Sequence, residues 1–378
     1  MQRFLIVLLL LSFCNTDAQN SVLITADSLF AHGNYSKAIT LYKSYNKPTN
    51  VYHKIAKSYV ALGNHSKALK YYELSVDAYP KDALTKYEYA KLLSSTKKYQ
   101  LALDMFNDLI IIDDENPNYH YEMGLVLERI NDSTAINRFK LAYDLDQTHQ
   151  KTIYKIAKYF LKKRKHQLSH NYIDKGLETY ENNVKLINLK AQNYYYQDYY
   201  KEAKIWFNKL IDLGESSEFI HEKLSIIYAE DYEFEKAINQ RKLALKFNPK
   251  NAKAMFVIAT YYEQLKDYEN AEKYMIKFLK LTDVALDHEY QKLGIIYNRQ
   301  KKHKQAIEAF NRALKENPEN ASAAFFIVAT KDSYYSDIDA KIKVYETFIK
   351  TYSNSPFESF AKSRLTELKE EKFSKSKE

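Results

Sequence analysis

Apolar residues recur three and four positions apart along nearly the whole chain, the spacing that gathers them on one face of an α-helix. A second, longer period overlies the first. A small residue opening an amphipathic stretch falls at Ala38, Ala68, Ala102, Ala135, Ser169, Ala203, Ala237, Ala271, Ala306 and Ala340. The successive steps are 30, 34, 33, 34, 34, 34, 34, 35 and 34 residues. Nine nearly equal steps predict a pair of amphipathic helices repeated about ten times.

Other positions keep the same register. Four residues after the small residue stands a bulky one: Tyr42, Tyr72, Phe106, Phe139, Ile173, Phe207, Met275 or Phe310, with Arg241 breaking the series. Twelve residues before it stands a second small residue, as at Ala26, Ala56, Ala90, Ala157, Ala191, Ser225, Ala259 and Gly294. Gly124 takes that slot eleven residues before Ala135, which implies a one-residue deletion in the turn. Pro80, Pro249 and Pro318 lie twelve residues after the alanine, where a helix should stop. The small residues permit close approach of two helices, and the bulky ones fill the space between one pair and the next. No pair can bury its apolar face alone, so stability has to come from stacked neighbours.

The 34-residue step and the small-x-x-Tyr, Ala-x-x-x-Phe and Pro signature resemble the tetratricopeptide repeat. The strongest match runs from Asp287 to Asn320, with Tyr290, Leu293, Gly294, Tyr297, Ala306, Phe310, Ala313 and Pro318. The next runs from Thr49 to Asp82. The resemblance implies an all-α, right-handed superhelical solenoid of about ten helix-turn-helix repeats over residues 19–353. After Pro356, Phe360, Leu365 and Leu368 suggest a capping helix over 354–368, and the charged stretch 369–378 is expected to be disordered.

The first residues have a different character. Arg3 precedes an apolar run from Phe4 to Phe13, too short to span a bilayer but suited to a secretory signal. Cleavage after Ala18 is expected, leaving residues 1–18 as signal peptide and an exported protein of the periplasm or cell envelope. Leu11-Ser12-Phe13-Cys14 also resembles a bacterial lipoprotein signal, although Phe13 departs from the small residue that pattern requires. A lipid anchor at Cys14 is the weaker alternative. Cys14 is the single cysteine, so a cleaved chain has no disulfide. No later segment has 18 consecutive apolar residues, so no transmembrane span is expected.

Composition narrows the function. Glycine and proline number six each, which leaves no material for a phosphate-binding loop or an all-β fold. No nucleophile elbow, Walker loop or dinucleotide fingerprint occurs. His166 and His170 have the i, i+4 spacing of paired metal ligands but lack the zincin glutamate, and are read as a solvated pair. Asp113-Asp114-Glu115 lacks the calcium-loop alternation and is read as a polar turn. Neither an enzyme nor a cofactor or metal is expected. The net charge is +9, but lysines and arginines are spread among 48 acids without an arginine cluster, which argues against nucleic acid.

The resemblance also implies that the first helix of each pair lines a concave groove. Positions just after the small slot, and one turn to either side, are Lys57, Tyr87, Lys91, Tyr121, Tyr154, Lys158, Lys185, Gln192, Tyr195, Phe256, Gln291 and Asn298. Tyrosine, present in 35 copies, offers contact area and a hydroxyl. Lysine attracts acidic groups over a distance that salt shortens. These positions point to a non-catalytic scaffold or assembly factor of the bacterial envelope that binds a protein or peptide, acidic or rich in aromatics. The alternative is a periplasmic or surface module that takes a glycan or other small ligand in the same groove.

Overall fold

The computed structural model describes residues 21–282 and 286–375. The expected signal peptide and Cys14 lie outside them. The described residues form two compact units, the first ending at Gln197 and the second starting at Asp198.

The N-terminal unit is a run of helical hairpins. They pair α1 (21–31) with α2 (Tyr35–Lys43), α3 (Tyr52–Ala61) with α4 (His65–Ala78), and α5 (Ala83–Ser95) with α6 (Tyr99–Ile112). Next come α7 (Pro117–Arg129) with α8 (Ala135–Leu145) and α9 (Gln150–Lys162) with α10 (His166–Thr179), and α11 (Val184–Tyr195) ends the unit. The short first step has a local cause. α2 has only nine residues, and a 3-10 turn at Pro48–Val51 leads from it into α3.

The C-terminal unit opens with α12 (Tyr200–Asp212). It continues with the hairpins α13 (Glu218–Glu230)/α14 (Phe234–Phe247), α15 (Ala252–Gln264)/α16 (Tyr268–Leu281), α17 (Asp287–Arg299)/α18 (His303–Glu316) and α19 (Ala321–Tyr334)/α20 (Ile338–Thr351). α21 (Glu358–Lys375) closes it. Ala361 and Leu368 are fully buried on that last helix, and Arg364 Nε donates to Asp332 Oδ2 on α19 at 2.9 Å. The stretch from Lys369, expected to be disordered, is helical as far as Lys375. Its lysines reach back to α20, Lys369 to Glu346 at 2.8 Å and Lys372 to Asp339 at 2.5 Å.

The register found in the sequence is the packing register. Ala26, Ala38, Ala56, Ala68, Ala90, Ala102, Ala157, Ala191, Ala203, Ala237, Ala259, Ala271 and Ala306 are completely shielded from solvent. Gly124 and Gly294 show why these slots stay small. A Cβ added at Gly124 would lie 2.7 Å from the Phe139 ring, and one at Gly294 would lie 2.5 Å from the Phe310 ring. Ala340, in the loosely matching last repeat, is only half-buried. Arg241 does occupy a bulky slot: it is buried, with Nη1 3.4 Å from Glu222 Oε1.

Many tyrosines are structural. Tyr42 donates to Asp27 at 2.6 Å and Tyr72 to Glu88 at 3.2 Å, so each ring fills the core while its hydroxyl finds a carboxylate. Burial first, and then the carboxylate, pushes both phenols far above their ordinary pKa.

Within each unit the hairpin turns share one geometry. Gly33 and Gly63 have φ of 78° and 71°; Lys97, Asn131, Arg164, Tyr232, Lys266 and Lys301 occupy the same left-handed region. The residue after each donates its N–H back five positions, as in Asn34 to Leu29, Lys98 to Leu93 and Lys302 to Tyr297. This is a Schellman closure, and it satisfies carbonyls that the helix end would otherwise leave open.

Candidate functional site

A cavity of about 520 Å³ opens between the first helices of two successive repeats of the N-terminal unit. α9 contributes Tyr154, Lys158, Leu161 and Lys162; α11 contributes Lys185, Asn188, Leu189 and Gln192, with Tyr196 just past its end. On α9 these positions are i, i+4, i+7 and i+8, one face of a helix. The opposite face, with Ile153, Ile156 and Ala157, is fully buried in the core and fixes the rotation of α9.

The cavity is basic. Its lining has no acidic side chain. Lys158 and Lys185 both lie near the Tyr154 ring, 5.5 and 5.9 Å from its centroid. None of the ion pairs among the described residues involves Lys158, Lys162 or Lys185. Adjacent lysines outside the cavity are neutralised: Lys155 by Glu128 at 2.5 Å and Lys190 by Asp174 at 2.6 Å. Gln192 Nε2 donates to Asn188 Oδ1 at 3.0 Å, a contact within one helix.

A second cavity, of about 620 Å³, lies among α1, α3 and α5 and includes Lys57, Tyr87, Glu88 and Lys91. Here the charge is partly answered from within, because Lys57 pairs with Glu88 at 2.9 Å. Lys91 sits over the Tyr87 ring at 5.2 Å, and the Tyr87 hydroxyl donates to Glu122 at 3.4 Å. Burial and Glu122 push the Tyr87 phenol up.

The structure therefore brings Tyr154, Lys158, Lys185 and Gln192 around one cavity and Lys57, Tyr87 and Lys91 around another. The remaining positions differ. Tyr121 is a core residue, buried edge-on to His149 with ring centroids 5.2 Å apart; its side chain turns toward the next hairpin. Tyr195 is half-buried and lies edge-on to Tyr196. In the C-terminal unit Phe256 packs on Phe278 at 5.2 Å, with Lys292 over its ring at 5.3 Å. Gln291 donates to Ser322 at 3.1 Å and Asn298 to Thr330 at 2.7 Å, tying α17 to α19.

The histidine pair is not solvated. His166 Nδ1 bonds Asn193 Oδ1 at 2.6 Å, while Asn193 Nδ2 donates to the His166 carbonyl and to His170 Nδ1, both at 3.0 Å. His170 Nε2 bonds the Tyr194 hydroxyl at 3.0 Å. Asn193 is fully buried, so this network fastens α10 to α11. Burial, and then Lys190, lower the His170 pKa, with Asp174 opposing. Among the described residues no group of three or more histidine, cysteine, aspartate or glutamate side chains is placed to hold a metal ion. No helix among them is long and apolar enough to cross a membrane.

Sequence reasoning missed Lys162 and Asn188. Lys162 is four residues beyond Lys158, and Asn188 four before Gln192, so the i, i+4 rule applied once more reaches both. Tyr196 caps α11, beyond the stretch where helical spacing applies.

Comparison with known proteins agrees with this architecture. Family models of the tetratricopeptide repeat match residues 49–82, 252–283 and 289–320. A TPR repeat-containing protein of Methanocaldococcus jannaschii is 26% identical over a 198-residue alignment that covers 50% of this chain; the chain spans only 35% of that relative's length. Among solved structures, YrrB, described as a TPR protein with an unusual peptide-binding site, aligns with a TM-score of 0.45 at 17% identity over 49% of this chain and 95% of its own. PilW, described as a type IV pilus biogenesis factor, aligns with a TM-score of 0.45 at 15% identity over 54% and 95%. Yeast Tom70 covers 94% of this chain and 96% of its own length, at 13% identity and a TM-score of 0.37. The three matched segments lie in both units, and the helices between them keep the same small-slot, bulky-slot register. On those grounds the chain carries tetratricopeptide repeats, matched at those three segments.

Proposed function

We propose that this protein is a non-catalytic scaffold that binds extended segments of a protein partner along the first helices of its repeats. The observation that carries the reading is the α9/α11 cavity, where lysines and tyrosines converge without an acid to neutralise them. The chemistry favours an acidic partner. The apolar leader with small residues at its end supports an exported protein, working as an assembly factor in a bacterial envelope.

The test is crosslinking in the native cell, followed by capture of the partner with purified protein at low and high salt. A protein partner whose capture weakens with salt is expected, and charge reversal at Lys57, Lys91 and Lys158 should weaken it further. Thermal stabilisation by a saccharide, with no protein partner recovered, would overturn the reading.

A further inference from the structure

Resting on that reading, we propose that the cavity between α9 and α11 is the anchor subsite of the N-terminal unit. Its occupant is an internal stretch of partner chain with two acidic side chains close together and an aromatic or aliphatic side chain beside them.

Three observations define the occupant. The first is charge. No acidic residue occurs from position 147 to position 173, a stretch that holds seven lysines and arginines. Two of those side chains, Lys158 and Lys162, face one cavity together with Lys185 of α11, and Lys158 and Lys185 share the Tyr154 ring; on their other side Lys158 and Lys162 border a smaller cavity that includes Glu128 and Asp132. Like charges this close repel, and a single carboxylate would leave two of the three unanswered. Two carboxylates come nearer to balance. First helices packed side by side have axes roughly 8–10 Å apart. Acids one residue apart on an extended strand lie about 7 Å apart on one face. The four-carbon lysine stems reach across the difference.

The second observation is the amide pair. Gln192 and Asn188 use one amide atom each on one another. Gln192 Oε1 and Asn188 Nδ2 are left over, an acceptor and a donor on the cavity wall. A peptide backbone presents the complementary N–H and C=O groups. The third is the apolar surface. Leu161 and Leu189 form a nearly buried floor, and Tyr196 is 52% exposed beside it. A simple polyanion has nothing to set against that surface, whereas an aromatic or aliphatic side chain does.

The probe is a fluorescent, N-acetylated and C-amidated peptide with two glutamates one residue apart beside a phenylalanine, titrated into the full chain by anisotropy. Binding should weaken at least about tenfold in Lys158→Gln/Lys185→Gln, and also as salt rises from about 0.05 to 0.5 M. A charge-matched control, Lys151→Gln/Lys175→Gln, removes two exposed lysines outside the cavity and should bind like the parent. Tyr196→Ala should weaken binding about threefold to tenfold. Circular dichroism and melting of each variant report that the repeats remain folded.

Equal binding by parent and the Lys158/Lys185 variant overturns the proposal, as does equal binding of a peptide with glutamine for both glutamates. Binding only when the peptide ends in a free carboxylate overturns the internal placement. Dextran sulfate competing with the same lysine dependence, while the phenylalanine proves dispensable, overturns the peptide in favour of a polyanion. If the native partner is captured in a salt-sensitive manner but ignores Lys158 and Lys185, the anchor fails and the scaffold reading stands. If no protein partner is captured, the scaffold reading fails with it.

Discussion

The two units are built on one repeat and spend their first-helix side chains differently. In the N-terminal unit, Lys158, Lys162 and Lys185 stand around a cavity with no carboxylate to meet them, and the Asn188–Gln192 pair keeps one donor and one acceptor spare. In the C-terminal unit the matching lysine and amide donors are engaged across helices, while Gln291 Oε1 and Asn298 Oδ1 are buried without a hydrogen-bond partner. Gln291 bonds Ser322, Asn298 bonds Thr330, and Lys292 pairs with Glu263 at 3.1 Å while covering Phe256. A register that fixes packing leaves the groove free to vary, because small and bulky slots face the core while the next turn of the same helix faces outward. The contrast teaches that core packing and the chemistry of the outward face draw on separate positions of the same helix.

The largest expected effect tests whether the core slots are equivalent on the two sides of this comparison. Phe106 and Phe310 are both completely buried at the same register position. Phe106→Ala and Phe310→Ala should each destabilise by about 3–5 kcal/mol, the range for removing a buried aromatic ring. In urea, followed by circular dichroism, each variant should lower the unfolding of its own unit. A loss below about 1 kcal/mol at either site would show that the slots are not the common core.

Next in size is the groove itself. Replacing Gln291 and Asn298 by alanine removes two inter-helix hydrogen bonds. Stability should fall by about 1 kcal/mol for each. Asn188→Ala with Gln192→Ala removes only a contact within one helix, worth about 0.2–0.5 kcal/mol. Equal losses in the two units, measured by the same denaturation, would erase the distinction between amides tied across helices and amides tied within one.

How much of this is legible in the sequence follows from which interactions are periodic. Ala38, Ala68, Ala102 and their equivalents are readable because a 34-residue period repeats the same packing problem. Arg241 is visible as a break in the pattern, but its partner Glu222, on the preceding helix, is not. The pairing of His166 and His170 with Asn193 was misread for a similar reason: the buried amide lies 27 and 23 residues downstream, in another repeat. Tyr121 and Tyr154 look alike as aromatic first-helix positions, and only the facing hairpin decides that one is core and the other groove. The tail from Lys369 has the composition of a disordered segment, yet it is helical as far as Lys375, with Lys369 and Lys372 against Glu346 and Asp339 on α20.

Acidity gives a smaller effect, with a definite sign. His53, His149 and His170, all in the N-terminal unit, are held below the ordinary histidine pKa, and burial is the largest cause for each. His170 shows why in structural terms: its Nδ1 accepts from Asn193 and is flanked by Lys190, so a second ring proton has no acceptor there except through rearrangement. The unfolded chain takes up protons near pH 6.5 and the folded unit does so only at lower pH. The stabilising contribution is therefore fully present above about pH 6.5. It shrinks as pH falls from that value toward the depressed folded pKa values. Urea midpoints at about pH 7.5 and pH 5.5 should show the N-terminal unit weakened by acid, and His170→Gln should remove part of that loss. An acid response unchanged by His170→Gln would assign it to other groups.

A last effect marks where the two units should not differ. Arg164, in the turn between α9 and α10, has φ of 54°, and Lys301, in the turn between α17 and α18, has φ of 60°. A side chain in this region crowds its own carbonyl, at a cost of about 1–2 kcal/mol that glycine avoids. Glycine also gives the unfolded chain more freedom, which cancels part of the gain. Arg164→Gly and Lys301→Gly should therefore stabilise by about 0.5–1 kcal/mol each, and Gly63→Arg should destabilise by a similar amount. Both turns close with the same backbone bond, Lys165 N–H to the Phe160 carbonyl and Lys302 N–H to the Tyr297 carbonyl, each at 2.9 Å. Equal increments in the two units would confine their difference to the groove. Unequal increments would mean that the turn, and not only the outward face of the first helix, has diverged between them.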